Sequence, residues 1–115
     1  MSLAFKFKKK ERIKKKEDFK EIINDNNKIR TKFYTCFFKK NKFKENRIGI
    51  IIKKKIGNSV KRNYEKRIIR NFFRINKNKI KESCDLIIIL NEPDGGFLEK
   101  KNDFERIIAY ILSNE

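Results

Sequence analysis

Between residues 56 and 74 the basic side chains recur at helical spacing, in IGNSVKRNYEKRIIR and the four residues after it. At about 100° per residue, Arg62, Asn63, Lys66, Arg67, Arg70 and Arg74 gather on one side of a helix. Lys61 adjoins them. Val60, Tyr64, Ile68, Ile69, Phe72 and Ile75 gather on the other side, with Phe73 at the boundary. A guanidinium gives two parallel hydrogen bonds to a phosphate, so such a row suits a polyphosphate backbone. A face made only for solubility mixes charge signs. Here the one nearby acid, Glu65, points away from the row, toward the edge of the apolar side.

A second set of candidates lies in KFYTCFFK, residues 32–39, whose aromatic and β-branched side chains predict a strand. One face of that strand belongs to the core. The other is covered by a helix or left open, and an open aromatic face beside cations stacks single-stranded bases. Phe33, Tyr34, Phe37 and Phe38 all suit a plain core; Tyr34, Cys36 and Phe38 are the candidates to meet a ligand instead.

Whole-chain composition agrees with a binding role. The 115 residues hold 32 Lys and Arg against 15 Asp and Glu, a net charge of +17. Such a charge repels itself unless a polyanion answers it. With no histidine, the usual general base and commonest metal ligand are missing. Cys36 and Cys84 are far apart and form no zinc motif. The carboxylates are scattered and show no two-metal spacing. Catalytic residues and protein metal ligands are therefore both expected to be none. The N-terminal MSLAFKFKKK lacks the apolar core of a signal peptide, and Leu86–Leu90 is too short to span a bilayer. A cytoplasmic protein without membrane association is expected.

These candidates must be positioned by one small domain, residues 1–115, whose first 15 residues read as a basic arm. KEDFKEIIN, residues 16–24, places Phe19, Ile22 and Ile23 on one helical face. Residues 24–31 read as a loop. Strands are expected at 32–39 and 47–53, paired as an antiparallel hairpin. Asn58 or Ser59 caps the basic helix, which runs to about residue 75. CDLIIIL, residues 84–90, reads as a central strand covered on both faces. Residues 91–101 read as a loop. A last helix carries Phe104, Ile107, Ile108, Ile111 and Leu112, with Asn102 and Glu105 as its capping pair. The order is α-β-β-α-β-α.

The run from Arg47 through IGIIIKKKIGNSVKRN to Lys66-Arg67 and Arg70 resembles the protein subunit of bacterial ribonuclease P. That family shows a strand ending in lysines, then Gly-Asn-Ala/Ser-Val, then an Arg-Asn-Arg helix with Lys-Arg and Arg at this spacing. KERIKKKEDFKEII looks like its first helix, and the likeness spans about residues 9–112. One departure is Tyr64, which stands where the motif has its third arginine; another is Glu65, at a position that is usually apolar. The resemblance implies an α+β two-layer sandwich, ribosomal-protein-like, with a left-handed βαβ crossover at the basic helix. It implies an accessory subunit of an endoribonuclease. In such an enzyme a catalytic RNA, using Mg²⁺ bound mainly by that RNA, removes the 5′ leader of precursor tRNA. It places the catalytic RNA on Lys61, Arg62, Asn63, Lys66, Arg67, Arg70 and Arg74. It places the leader in a cleft at Phe19, Ile23, Tyr34, Cys36, Phe38, Lys54 and Lys55, with one protein per RNA.

The main rival is a ribosomal or other structural RNA-binding protein, which has no reason to show this motif. A free-standing nuclease would cleave precursor tRNA alone. A membrane-surface protein would need apolar helix faces that the core already claims.

Overall fold

The computed structural model describes residues 11–25 and 27–114. Three helices and four strands follow in the order α1 (Lys16–Ile23), β1 (Lys28–Arg30), β2 (Tyr34–Lys40), β3 (Arg47–Ile51), α2 (Ser59–Asn76), β4 (Cys84–Leu90) and α3 (Phe97–Ser113). Short 3-10 turns at Lys54–Ile56 and Lys77–Lys79 flank α2. The mixed α+β architecture is the expected one, with an added strand, β1, where a loop is expected.

The sheet order is β1-β2-β4-β3, with β2 antiparallel and β3 parallel to β4. The expected hairpin of β2 with β3 is therefore absent, because β4 lies between them. Its side chains are apolar on both faces, so only a central place buries them all. Asn46 holds this insertion together. Its amide donates to the Lys77 carbonyl (2.8 Å) and Ile80 carbonyl (3.2 Å), and its oxygen accepts from the Cys84 N–H (2.8 Å).

Strand alternation sorts the side chains onto two faces. Tyr34, Cys36 and Phe38 of β2 pair in register with Leu90, Ile88 and Leu86 of β4. All six are buried in the main core with Ile68, Ile69, Phe72 and Phe73 of α2 and Phe104, Ile107 and Ile111 of α3. Burying each such side chain contributes roughly 1.5–3 kcal/mol. The opposite face carries Phe37, Ile87 and Ile89, on which α1 lays Phe19, Ile22 and Ile23.

The helix ends follow their local chemistry. The Asn58 side chain caps α2 by accepting from the Lys61 N–H at 2.9 Å. Helix α3 starts six residues earlier than Asn102 and Glu105 suggest, with Gly96 in place of Asn102 at the cap. Glu99 reaches back to the Gly96 N–H (3.1 Å) and provides the cap at the true start. Asp103, well inside the helix, accepts from the Phe33 N–H at 2.8 Å and ties α3 to the entry of β2.

Among the described residues two ion pairs are buried. Lys100 of α3 gives its protons to both Glu65 oxygens (3.1 and 3.0 Å) and to the Pro93 carbonyl (2.7 Å). Lys77, at the end of α2, bonds both oxygens of Glu11 (3.0 and 2.8 Å). The second pair corrects the expected basic arm. Glu11 and Ile13 are buried, and Arg12 bridges Ile48 in parallel, extending the sheet past β3. Residues 1–10 of that arm lie outside the described residues.

Candidate nucleic-acid interface

The start of α2, residues 59–64, holds no buried residue. Val60 and Tyr64, on the helix's apolar side, are 77% and 53% exposed. Lys61, Asn63 and Arg67 are exposed, and Arg62, Lys66, Arg70 and Arg74 half-buried. Glu65 is taken out of this surface by Lys100, so the outer face keeps one sign of charge. Among the described residues no carboxylate pairs with Arg62, Lys66, Arg67, Arg70 or Arg74. Arg62 and Arg74 bond only neutral oxygens, those of Ser59 (3.3 Å) and Asn71 (2.6 Å), and each leaves a covered Nε without a partner. Burial first, then the Arg12 charge, pulls the Arg70 pKa below its usual value. An anion seated there would offset both effects.

On the α1 side, Phe19, Ile23, Phe37, Ile51 and Ile89 are half-buried and form a continuous apolar floor. Lys28 stands over the Phe37 ring at 5.6 Å. A cleft of about 220 Å³ opens beside Phe19, lined also by Arg12, Lys14, Gly49, Lys66 and Arg70. Here the cationic row meets the floor at the Phe19 ring. Lys54 and Lys55 are exposed on the turn that leaves β3 just after Ile51.

This geometry divides the expected cleft residues. Phe19 and Ile23 lie on the floor. Tyr34, Cys36 and Phe38 do not; they are 0%, 0% and 7% exposed, beneath α2 and α3 on the other face of the sheet. Burial also holds the Cys36 thiol well above its usual pKa, in its unreactive protonated form. The sheet residues that reach the floor are Phe37 and Ile89. Alternation carried a signal for this choice. The face of β2 and β4 that includes Thr35 and Asp85 is the less apolar one, and so the face to leave nearer solvent.

Gly49 makes the close approach of α1 possible. A Cβ there would lie 2.5 Å from Phe19 Cζ. Gly49→Ala is therefore expected to displace the Phe19 ring and to destabilise the protein by about 1–3 kcal/mol. Thermal unfolding measures the loss, and Phe19→Ala in the same background should recover most of it by removing the clash.

Outside the two surfaces, the Asp85 carboxylate is held in a structural network. Asp85 accepts from Arg47 Nε (2.8 Å) and Nη2 (2.6 Å) and from Asn41 (2.7 Å), and the Phe43 ring covers Arg47 at 4.3 Å. Among the described residues no three Cys, Asp or Glu side chains come together as a metal site. No helix among them is long and apolar enough to cross a membrane.

Comparison with known proteins agrees with the resemblance. The family model for ribonuclease P matches residues 7–111. A ribonuclease P protein component of Syntrophus aciditrophicus is 44% identical over 108 residues, covering 94% of this chain and 89% of the relative. One from Thermotoga maritima is 30% identical over 101 residues, covering 88% and 81%. Among solved structures, a Staphylococcus aureus RNase P protein mutant with defective mRNA degradation activity superposes with a TM-score of 0.82 at 32% identity, over 89% of this chain and 88% of that one. The Thermotoga maritima RNase P protein gives 0.76 at 26% identity, over 85% and 94%. With most of its length matched in sequence and in fold, the chain belongs to the ribonuclease P protein family.

Proposed function

We propose that this chain docks on the catalytic RNA of ribonuclease P through the outer face of α2 and holds the 5′ leader of precursor tRNA on the α1 side of the sheet. The observation that carries this reading is the cleft at Phe19, where Lys66 and Arg70 of the cationic helix join Arg12 and Lys14 beside an apolar floor. One strand of nucleic acid laid there finds the Phe19 ring for a base and cations for its phosphates. The same helix turns Arg67, Arg70 and Arg74 toward a second RNA surface. Arg70 lines the Phe19 cleft and also a second groove, shared with Arg67 and Arg74.

The chain's residues bind, orient and neutralise. The RNA subunit carries the cleavage, with Mg²⁺ held mainly by RNA, and supplies the hydrolytic step that leaves the mature 5′ end. Packing phosphates of two RNAs together is costly without counter-ions, and fixed cations on α2 and around the cleft take the place of some of them.

The leader role is tested with Phe19→Ala and Phe37→Ala. Each should weaken holoenzyme binding of precursor tRNA by roughly 1–3 kcal/mol per lost stacking contact and leave mature tRNA unaffected, since only the precursor carries a leader. Equal weakening of both substrates, or of neither, in protein that unfolds at the normal temperature, contradicts the assignment. Tyr34→Ala and Phe38→Ala should act differently, lowering stability by roughly 3–5 kcal/mol without changing the ratio of affinities.

A further inference from the structure

Beside α2, on the side away from Phe19, lies a groove of about 460 Å³ lined by Tyr64, Arg67, Ile68, Arg70, Asn71, Arg74 and Phe97. Neither of its two aromatic rings is spent on the core. Tyr64 is 53% and Phe97 50% exposed. Phe97 opens α3 and rests one side of its ring on Phe72, with centroids 5.2 Å apart and planes inclined at 53°. Phe72 in turn meets Phe104 at 5.7 Å, so a chain of rings in the core fixes where Phe97 stands.

The groove thus combines two ring surfaces, an apolar floor at Ile68 and three guanidiniums, and no carboxylate lines it. Arg74 is steadied by Asn71 at 2.6 Å. An acidic peptide would use the cations and waste the rings; a lipid tail would use the rings and pass three charges. An unpaired nucleotide uses both, because its base has a π-face and its flanking phosphates take guanidiniums. The volume suits it, small-ligand sites being roughly 300–1,000 Å³.

We infer that this groove receives one unpaired nucleotide of the RNA subunit, its base against Tyr64 and Phe97 and its neighbouring phosphates on Arg67 and Arg74. This rests on the proposed docking of α2 to RNA and adds a contact that charge alone does not supply. It makes docking depend on an unpaired base as well as on phosphate density. Tyr64 then serves the helix as a stacking surface, where an arginine would offer one more phosphate contact.

The test uses full-length protein and a bacterial ribonuclease P RNA, without substrate, over a range of salt. Tyr64→Ala should lower affinity by roughly 5- to 100-fold and leave the slope of log affinity against log salt unchanged, because no phosphate contact is lost. Tyr64→Phe should bind like the parent. Arg67→Gln should lower that slope by about 0.7–0.9. The chain has no tryptophan, so Phe97→Trp places a single reporter in the groove, and its emission should change on binding the RNA subunit alone. If Tyr64→Ala binds normally at every salt concentration while Arg67→Gln changes the slope, the nucleotide pocket is wrong and the docking face stands. If the reporter responds only when precursor tRNA is added, the occupant is the substrate and the inference is overturned. If neither Tyr64→Ala nor Arg67→Gln affects binding, the docking face falls, and the pocket with it.

Discussion

Replacing Arg67 and Arg70 together by glutamate should abolish assembly with the catalytic RNA while the protein stays folded. Neither side chain belongs to the core, and neither has a carboxylate partner among the described residues to leave unpaired. Each guanidinium–phosphate contact is a charge-assisted hydrogen bond worth roughly 1.5–3 kcal/mol. Losing two weakens binding by about 10²- to 10⁴-fold before glutamate repulsion is added. The slope of log affinity against log salt should fall by about 0.7–0.9 for each lost contact. Filter binding or fluorescence titration at several salt concentrations measures both, with circular dichroism as the folding control. Unchanged affinity in a folded variant would remove α2 as the docking surface.

A stability loss as large as that of a core truncation is expected at a residue on the same helix that faces inward. Glu65 and Lys100 are 2% and 3% exposed, and each is the other's main partner. Glu65→Ala leaves an ammonium buried with only the Pro93 carbonyl, a change that costs about 3–5 kcal/mol. For a domain of this size that lowers the melting temperature by roughly 15 °C or more. Lys100→Ala should cost a similar amount by stranding the carboxylate. Replacing both together, Glu65→Leu with Lys100→Met, removes both charges and should restore most of the loss. The double variant should also dock RNA normally, since neither group reaches the outer face. If the double variant is as unstable as either single one, the pair is not the source of the effect.

How much of this was legible in the sequence depended on whether a local pattern had one solution. The cationic row of α2 did, because single-sign charge at a period of 3.6 has few other meanings, and Asn58 capped the helix as its side chain allows. The central place of β4 was legible from CDLIIIL, since seven residues with little polarity on either face need cover on both. The pairing of β2 was not legible. A short charged turn joins it to β3, and only the demand of β4 for two neighbours pulls the two strands apart. The face of β2 was ambiguous from that strand alone, because Tyr34, Cys36 and Phe38 look as fit for bases as for the core, and the weak signal in the alternation needed β4 beside it. The choice is made by α2 and α3, whose apolar faces lie far along the chain. Glu99 and Gly96 show the same limit at the start of α3, where the Pro93–Gly96 turn masks the helix that begins directly after it. The role of residues 11–13 depended on Lys77, 66 positions away from Glu11, and no local pattern carries that information.

The central claim is that the chain assists a catalytic RNA by supplying fixed cations and a leader surface. It is tested most directly by reconstitution. Precursor tRNA cleavage is measured with a bacterial ribonuclease P RNA, with and without the purified protein, across a range of Mg²⁺ concentrations, beside a reaction that holds the protein alone. The account predicts 5′-leader removal at low Mg²⁺ only when RNA and protein are both present, with the RNA alone recovering as Mg²⁺ rises. Cleavage by the protein alone, or the same Mg²⁺ dependence with and without it, would contradict the account.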